Sequence, residues 1–88
     1  MKIFSASIDP KIKKIDLHSF QNPENAMDFL EKELYKFYSQ NERYCEIIHG
    51  IGEGILMKKV HEFLKKQSIV DDYQINENGG GTIVIFKV

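Results

Sequence analysis

Residues 47–56 read IIHGIGEGIL, and this stretch decides the fold. Ile47 and Ile48 close an apolar run of strand length, RYCEIIH at 43–49. Gly50, Gly52 and Gly54 then alternate, after which Leu56, Val60, Phe63 and Leu64 recur at helical spacing. The order is buried strand, tight glycine connection, amphipathic helix. A similar unit precedes it. KKIDLH (13–18) alternates apolar Ile15 and Leu17 with polar neighbours, as a short strand does. QNPENA then opens a helix. Asn22 can cap free N–H groups, Pro23 suits the first helical position, and Glu24 matches the positive helix end. Ala26, Met27, Leu30, Leu34, Phe37 and Tyr38 carry the apolar face, which stops near SQNE at 39–42.

Downstream, SIVDDYQIN (68–76) reads as a third strand bent at Asp71–Asp72. ENGGG is a turn, and TIVIFKV (82–88) is a β-branched closing strand. Residues 1–10 lack a clear period and end in Pro10, so 1–12 is read as an N-terminal arm or weak edge strand, and 13–88 as the domain. The predicted order is β-α-β-α-β-β.

Strand–helix–strand crossovers join parallel strands, so the first two strands point the same way. Their C-terminal ends fall on one sheet edge, where open α/β sheets bind ligands. Asp16 and His18 end the first strand, and His49 with the glycines ends the second. These residues are therefore expected to converge on a shared site. A parallel third strand would bring NGGG to the same edge.

Asp16 and His18 are two apart, hence on one strand face. A carboxylate beside an imidazole can hold a divalent ion, magnesium or manganese, or orient the imidazole as a base. An ordinary strand end, with Asp16 capping a turn and His18 half exposed, suits the pair as well. At 49–54 the glycines let the backbone turn and approach a ligand closely, and the following helix N-terminus favours phosphate. A turn that needs glycine only for its own shape is the competing reading. The spacing is G-x-G-x-G rather than the dinucleotide G-x-G-x-x-G, and no Gly-Lys-Ser/Thr follows.

The second helix carries Lys58, Lys59, Lys65 and Lys66 against Glu62. The first carries Glu24, Asp28, Glu31 and Glu33 against Lys32 and Lys36. The basic helix thus begins at the proposed phosphate site, although lysines often only solvate a face. His61 reads as a surface residue and Cys45 as a small core residue. Phe29, Phe37, Tyr38 and Phe63 fit helix core positions.

The whole chain sets bounds on these readings. With 88 residues it is one small domain, too short for a full dinucleotide-binding sheet. A formal charge of −1 argues against strong nonspecific nucleic-acid wrapping. One cysteine allows no internal disulfide, and no run is long and apolar enough for a membrane span. A cytoplasmic location, no membrane partner and no organic cofactor are expected.

IDLHS before one helix, IIHGIGEG opening a second, then a glycine turn and TIVIF together resemble the Smr domain, the small MutS-related domain of MutS2 proteins. The family pattern is L-D-L-H-G or L-D-L-R-G, then H-G-x-G or T-G-x-G, then a late glycine turn. Asp16 and His18 match the first motif, His49, Gly50 and Gly52 the second, and Gly80 and Thr82 the late turn. Ser19 stands where the family usually has glycine.

The resemblance implies a two-layer α/β sandwich with a four-stranded mixed sheet, like the C-terminal domain of bacterial translation initiation factor three. It also implies DNA or RNA as partner, with the ribosome or the rest of a MutS2-like chain as further partners. The leading expectation is a phosphodiester endonuclease acting on structured or branched substrates. Asp16, His18 and His49 would be catalytic, Asp16 and His18 the ligands of a divalent ion, and Gly50, Gly52, Gly54, Lys58, Lys59, Gly80 and Thr82 the nucleic-acid contacts. The alternative is a nucleic-acid- or ribosome-binding module without catalysis.

Overall fold

The computed structural model describes residues 11–52 and 54–88. The arm expected over 1–12 thus falls almost wholly outside the described residues. From there the chain runs β1 (Lys13–Asp16), α1 (Pro23–Ser39), β2 (Tyr44–Ile48), α2 (Ile55–Lys65), β3 (Val70–Ile75) and β4 (Gly81–Phe86).

Local chemistry sets the helix ends as the sequence predicts. The Asn22 side chain accepts from the N–H groups of Glu24 at 2.8 Å and Asn25 at 3.4 Å, and Pro23 occupies the first turn. The chain leaves α1 through Asn41 at φ +63, a left-handed conformation that asparagine tolerates. No described helix is long and apolar enough to cross a membrane.

The four strands form one mixed sheet in the order β1-β2-β4-β3. β1 and β2 are parallel, and β4 is antiparallel to both its neighbours. Hence β1, β2 and β3 share a direction, and β4 is inserted between β2 and β3. Both crossovers, β1-α1-β2 and β2-α2-β3, move across the sheet the same way. Right-handed connections that progress in one direction put both helices on one face. Among the described residues the other face carries no helix layer, which gives the two-layer sandwich.

Strand parity fixes what each face holds. Ile15 of β1 and Leu17 just beyond it, Cys45 and Ile47 of β2, and Val84 and Phe86 of β4 are buried under the helices. They meet Ala26, Leu30, Leu34 and Phe37 from α1 and Val60 and Leu64 from α2. Leu30 is fully buried, and its truncation to alanine would cost about 2–5 kcal/mol. Phe29 and Tyr38 stand half-exposed instead of in the core. Each lies one position off the Ala26–Leu30–Leu34–Phe37 stripe, so its ring rests on another aromatic. Phe29 packs on Phe20 at 5.3 Å and Tyr38 on Phe86 at 6.0 Å. The expected bend at Asp71–Asp72 is a register shift between Val70 and Asp72.

Candidate functional site

The edge formed by the C-terminal ends of β1, β2 and β3 gathers all three motifs. The late turn from β3 to β4 returns there and is tied to the glycine loop. The N–H groups of His49 and Gly50 both donate to the Gly80 carbonyl, at 3.1 and 2.9 Å. The Gly80 N–H donates to Asn78 Oδ1 at 2.7 Å. Gly81 has little room for a side chain. A Cβ there would lie 2.6 Å from Asn76 Nδ2 and 3.2 Å from the Ile47 carbonyl. It would break the 2.7 Å hydrogen bond that Asn76 donates to Glu46.

The first two motifs meet at Gly50. Asp16 pairs with Ile48, and the Leu17 N–H donates to the Ile48 carbonyl, so the next residues in register are His18 and Gly50. Gly50 lies at φ +83, and a Cβ on it would sit 3.4 Å from the His18 Cβ. Glycine there serves both the backbone and the approach of the neighbouring motif.

Asp16 and His18 face the side of the sheet away from the helices. Their side chains are 51% and 59% exposed. The Asp16 carboxylate accepts the His18 backbone N–H at 3.1 Å and also the imidazole Nδ1–H. The side-chain hydrogen bond from His18 holds the Asp16 carboxyl below its ordinary value against a small opposing effect of burial. Because Asp16 takes Nδ1–H, the neutral His18 ring keeps its lone pair on Nε2. His18 borders an open groove of about 440 Å³, lined also by Lys14, Glu46, Gly50, Ile51 and Asn78 among others, with Asp16 held behind it. A hollow of similar size at the opposite edge, about 450 Å³, holds Glu42 and Arg43 but none of the motif residues.

His49 belongs to the other face. It follows Cys45 and Ile47 in parity, so its ring turns under the helices and is only 5% exposed. Its Nδ1 is 3.0 Å from the Gly50 carbonyl and its Nε2 2.9 Å from Thr82 Oγ1. The expectation that Asp16, His18 and His49 converge on a shared site is therefore met at the level of the edge and not of the face. The two strands are in register with one-residue parity between their histidines, and this sends the rings apart. Thr82 is fully buried, so its hydroxyl serves His49 and does not reach the surface. Gly80 does line the groove.

The same hydroxyl is 2.7 Å from His61 Nε2, so the residue read as a surface histidine is part of the site's interior. Its ring packs against Tyr73 at 4.9 Å between centroids. Burial holds the His61 pKa below its ordinary value, helped by His49 and Lys65. Parity held a signal for this arrangement: His61 adjoins Val60, and Thr82 leads the buried series Thr82, Val84, Phe86.

At the start of α2, Gly54 occupies the capping position at φ +81, and among the described residues no side-chain cap bond is made to the first helical N–H groups. Lys59 lines a hollow between the helices with Glu24 and Asp28, beside the acidic helix. Asn41 is the only described non-glycine residue with positive φ, so Ser19 fits its turn without the conformation that would demand glycine. Among the described residues no three histidine, cysteine or acidic side chains come together as metal ligands. Asp16 and His18 supply two donors, one already spent within the pair. The described residues by themselves do not make a complete metal site.

Similarities to known proteins agree with this arrangement. The Smr domain profile matches residues 15–87. Endonuclease MutS2 of Borreliella burgdorferi is 32% identical over 74 residues, covering 81% of this chain and 9% of that protein. Endonuclease MutS2 of Clostridium tetani is 36% identical over 70 residues, covering 78% and 9%. The chain thus spans about a tenth of the length of these relatives. In structure, the Smr domain of Thermus thermophilus MutS2 superposes with a TM-score of 0.81 at 21% identity, over 88% of this chain and all of that one. The SMR domain of NEDD4-binding protein 2 gives 0.67 at 22% identity, over 91% of each chain. With its motifs on one sheet edge and a family match over nearly its whole length, the chain belongs to the Smr domain family.

Proposed function

We propose that this domain is a nucleic-acid endonuclease that hydrolyses phosphodiester bonds in the groove beside Asp16 and His18. The observation that carries the reading is the exposed Asp16–His18 pair abutting Gly50. Asp16 fixes the tautomer in which His18 Nε2 is free, so His18 is the general base that takes a proton from the attacking water. The protonated ring then serves as acid to the leaving oxygen. The uncapped N–H groups at the start of α2 receive the backbone phosphate and stabilise its developing charge. Lys14 adds a positive charge on the groove wall. His49 supports the loop from beneath.

The relatives are named endonucleases as whole proteins, about ten times longer than this chain. Activity of the domain by itself, and the choice of DNA or RNA, are part of the proposal. A binding module without catalysis is the second reading. It is favoured by the burial of His49, which leaves two side chains to do the chemistry. Incubation of the purified chain with supercoiled plasmid and with structured RNA, with magnesium, manganese or chelator, tests the choice. Nicks or cuts that vanish in His18→Gln support the endonuclease. Retained binding with no cleavage of either substrate in any condition supports the binding module.

A further inference from the structure

The interior of the site contains a chain of hydrogen bonds whose direction is set by the carbonyl at its end. The Gly50 carbonyl only accepts, so His49 Nδ1, 3.0 Å away, carries a hydrogen. The neutral ring then has its lone pair on Nε2, 2.9 Å from Thr82 Oγ1. The single hydroxyl hydrogen of Thr82 must point to that lone pair. His61 Nε2, 2.7 Å from the same oxygen, must therefore donate to it. The chain runs one way, from His61 on α2 through Thr82 on β4 to His49 at the end of β2, and ends on the Gly50 carbonyl.

Every buried side-chain polar atom among the described residues has a partner, so this order leaves none unpaired. Thr82 is fully buried, and an alternative partner from solvent is excluded there. Around His61 stand Tyr73 from β3, with ring centroids 4.9 Å apart, and His49, at 6.2 Å. Lys65 lies one turn along its own helix. Gly50, where the chain ends, is also the residue against which His18 packs.

We propose that His61 and Thr82 are positioning residues for the glycine loop: they fix the tautomer of His49, which holds the Gly50 carbonyl and so sets the direction of the loop that follows. The polar chain on the helix side and the Asp16–His18 pair on the groove side are joined through this one glycine. The effect on nucleic acid rests on the reading that the loop receives a backbone phosphate, whereas the tautomer does not.

The test uses the full chain and four variants. Thr82→Val keeps the shape and removes the hydroxyl, and Thr82→Ser keeps the hydroxyl. His61→Phe removes the donor, and His61→Gln keeps a side-chain N–H. Nitrogen-15 spectra report the His49 tautomer and the amides of Gly50, Gly52 and Gly54. A fluorescent DNA hairpin and its RNA counterpart report affinity.

The wild type and Thr82→Ser should show His49 with the hydrogen on Nδ1. Thr82→Val should lose that single tautomer, shift the loop amides and weaken hairpin binding about tenfold, as for loss of one orienting hydrogen bond. His61→Phe should shift the same amides and His61→Gln restore them. If Thr82→Val fails to fold, the His61 pair decides, since that residue is only partly buried. A wild-type His49 with the hydrogen on Nε2, or loop amides unmoved in His61→Phe, overturns the proposal. The expected tautomer and amide shifts with unchanged hairpin affinity support the positioning role and instead remove the phosphate-holding reading of the loop.

Discussion

Replacing Gly52 with alanine separates the shape of the glycine loop from its chemistry. Gly52 lies at φ +28, and an added Cβ meets no atom of the described residues beyond its chain neighbours within 4 Å. Inside the protein the methyl therefore causes no clash, and the only cost is backbone strain of about 1 kcal/mol. For a domain of this size that lowers Tm by about 4–8 °C. A phosphate seated on the loop would have to share its space with the methyl. Binding should then fall more than tenfold, beyond anything the lost stability explains at a temperature where both proteins are folded. Gly79→Ala is the matched control, with φ +78, again nothing within 4 Å, and a position on the other turn. It should lose similar stability and keep its affinity. The assays are a thermal melt and a binding isotherm with a labelled DNA or RNA hairpin. Gly52→Ala binding within twofold of wild type would refute the phosphate cradle.

Four further outcomes follow from the geometry. Gly81→Ala should destabilise by about 1–3 kcal/mol, because its Cβ enters the Asn76–Glu46 hydrogen bond, and a denaturant titration measures this. Asp16→Asn should cut the cleavage rate at least a hundredfold with hairpin affinity little changed, because the amide no longer fixes the His18 tautomer. Neutralising Lys58 and Lys65 together should flatten the logarithmic salt dependence of binding, its slope falling by about one for each phosphate no longer neutralised, and unchanged slopes would assign these lysines to solvation. His61 has its pKa held below 6.5 by burial, so as pH falls the unfolded chain takes up this proton first. The His61 contribution to stability is complete above 6.5 and is lost as pH drops through the window just below it. Melts between pH 7 and 5 should show a slope that His61→Gln reduces. Asp16, also depressed, contributes above its ordinary value near 3.8 and loses that contribution only at lower pH.

The elements were legible because each carries its own local signal. Asn22 and Pro23 mark the start of α1, the Leu30–Leu34 spacing marks its buried stripe, and Ile15–Leu17 alternation marks β1. The insertion of β4 between β2 and β3 carries no such signal, since strand order depends on which edges meet after both crossovers are made. The edge of the site was legible from the parallel direction of β1 and β2. Its faces were legible only through parity combined with register. Asp16 and His18 alternate with buried Ile15 and Leu17, while His49 continues the buried series Cys45, Ile47. Once Asp16 is paired with Ile48, the two histidines must point apart. His61 was missed because a single histidine beside a core position on an amphipathic helix looks the same whether it faces water or a buried hydroxyl. Its partner, Thr82, is 21 residues away in sequence and meets it only when β4 is in place.

The Asp16–His18 pair is proposed to cut nucleic acid held at the glycine loop. Single-turnover cleavage of one labelled, structured substrate, with protein in excess and saturating, tests it most directly in wild type and His18→Gln. Loss of a general acid–base group should slow the cleavage step by about 10²–10⁴-fold while the saturating concentration stays within a few-fold. Equal rates in the two proteins would contradict the claim.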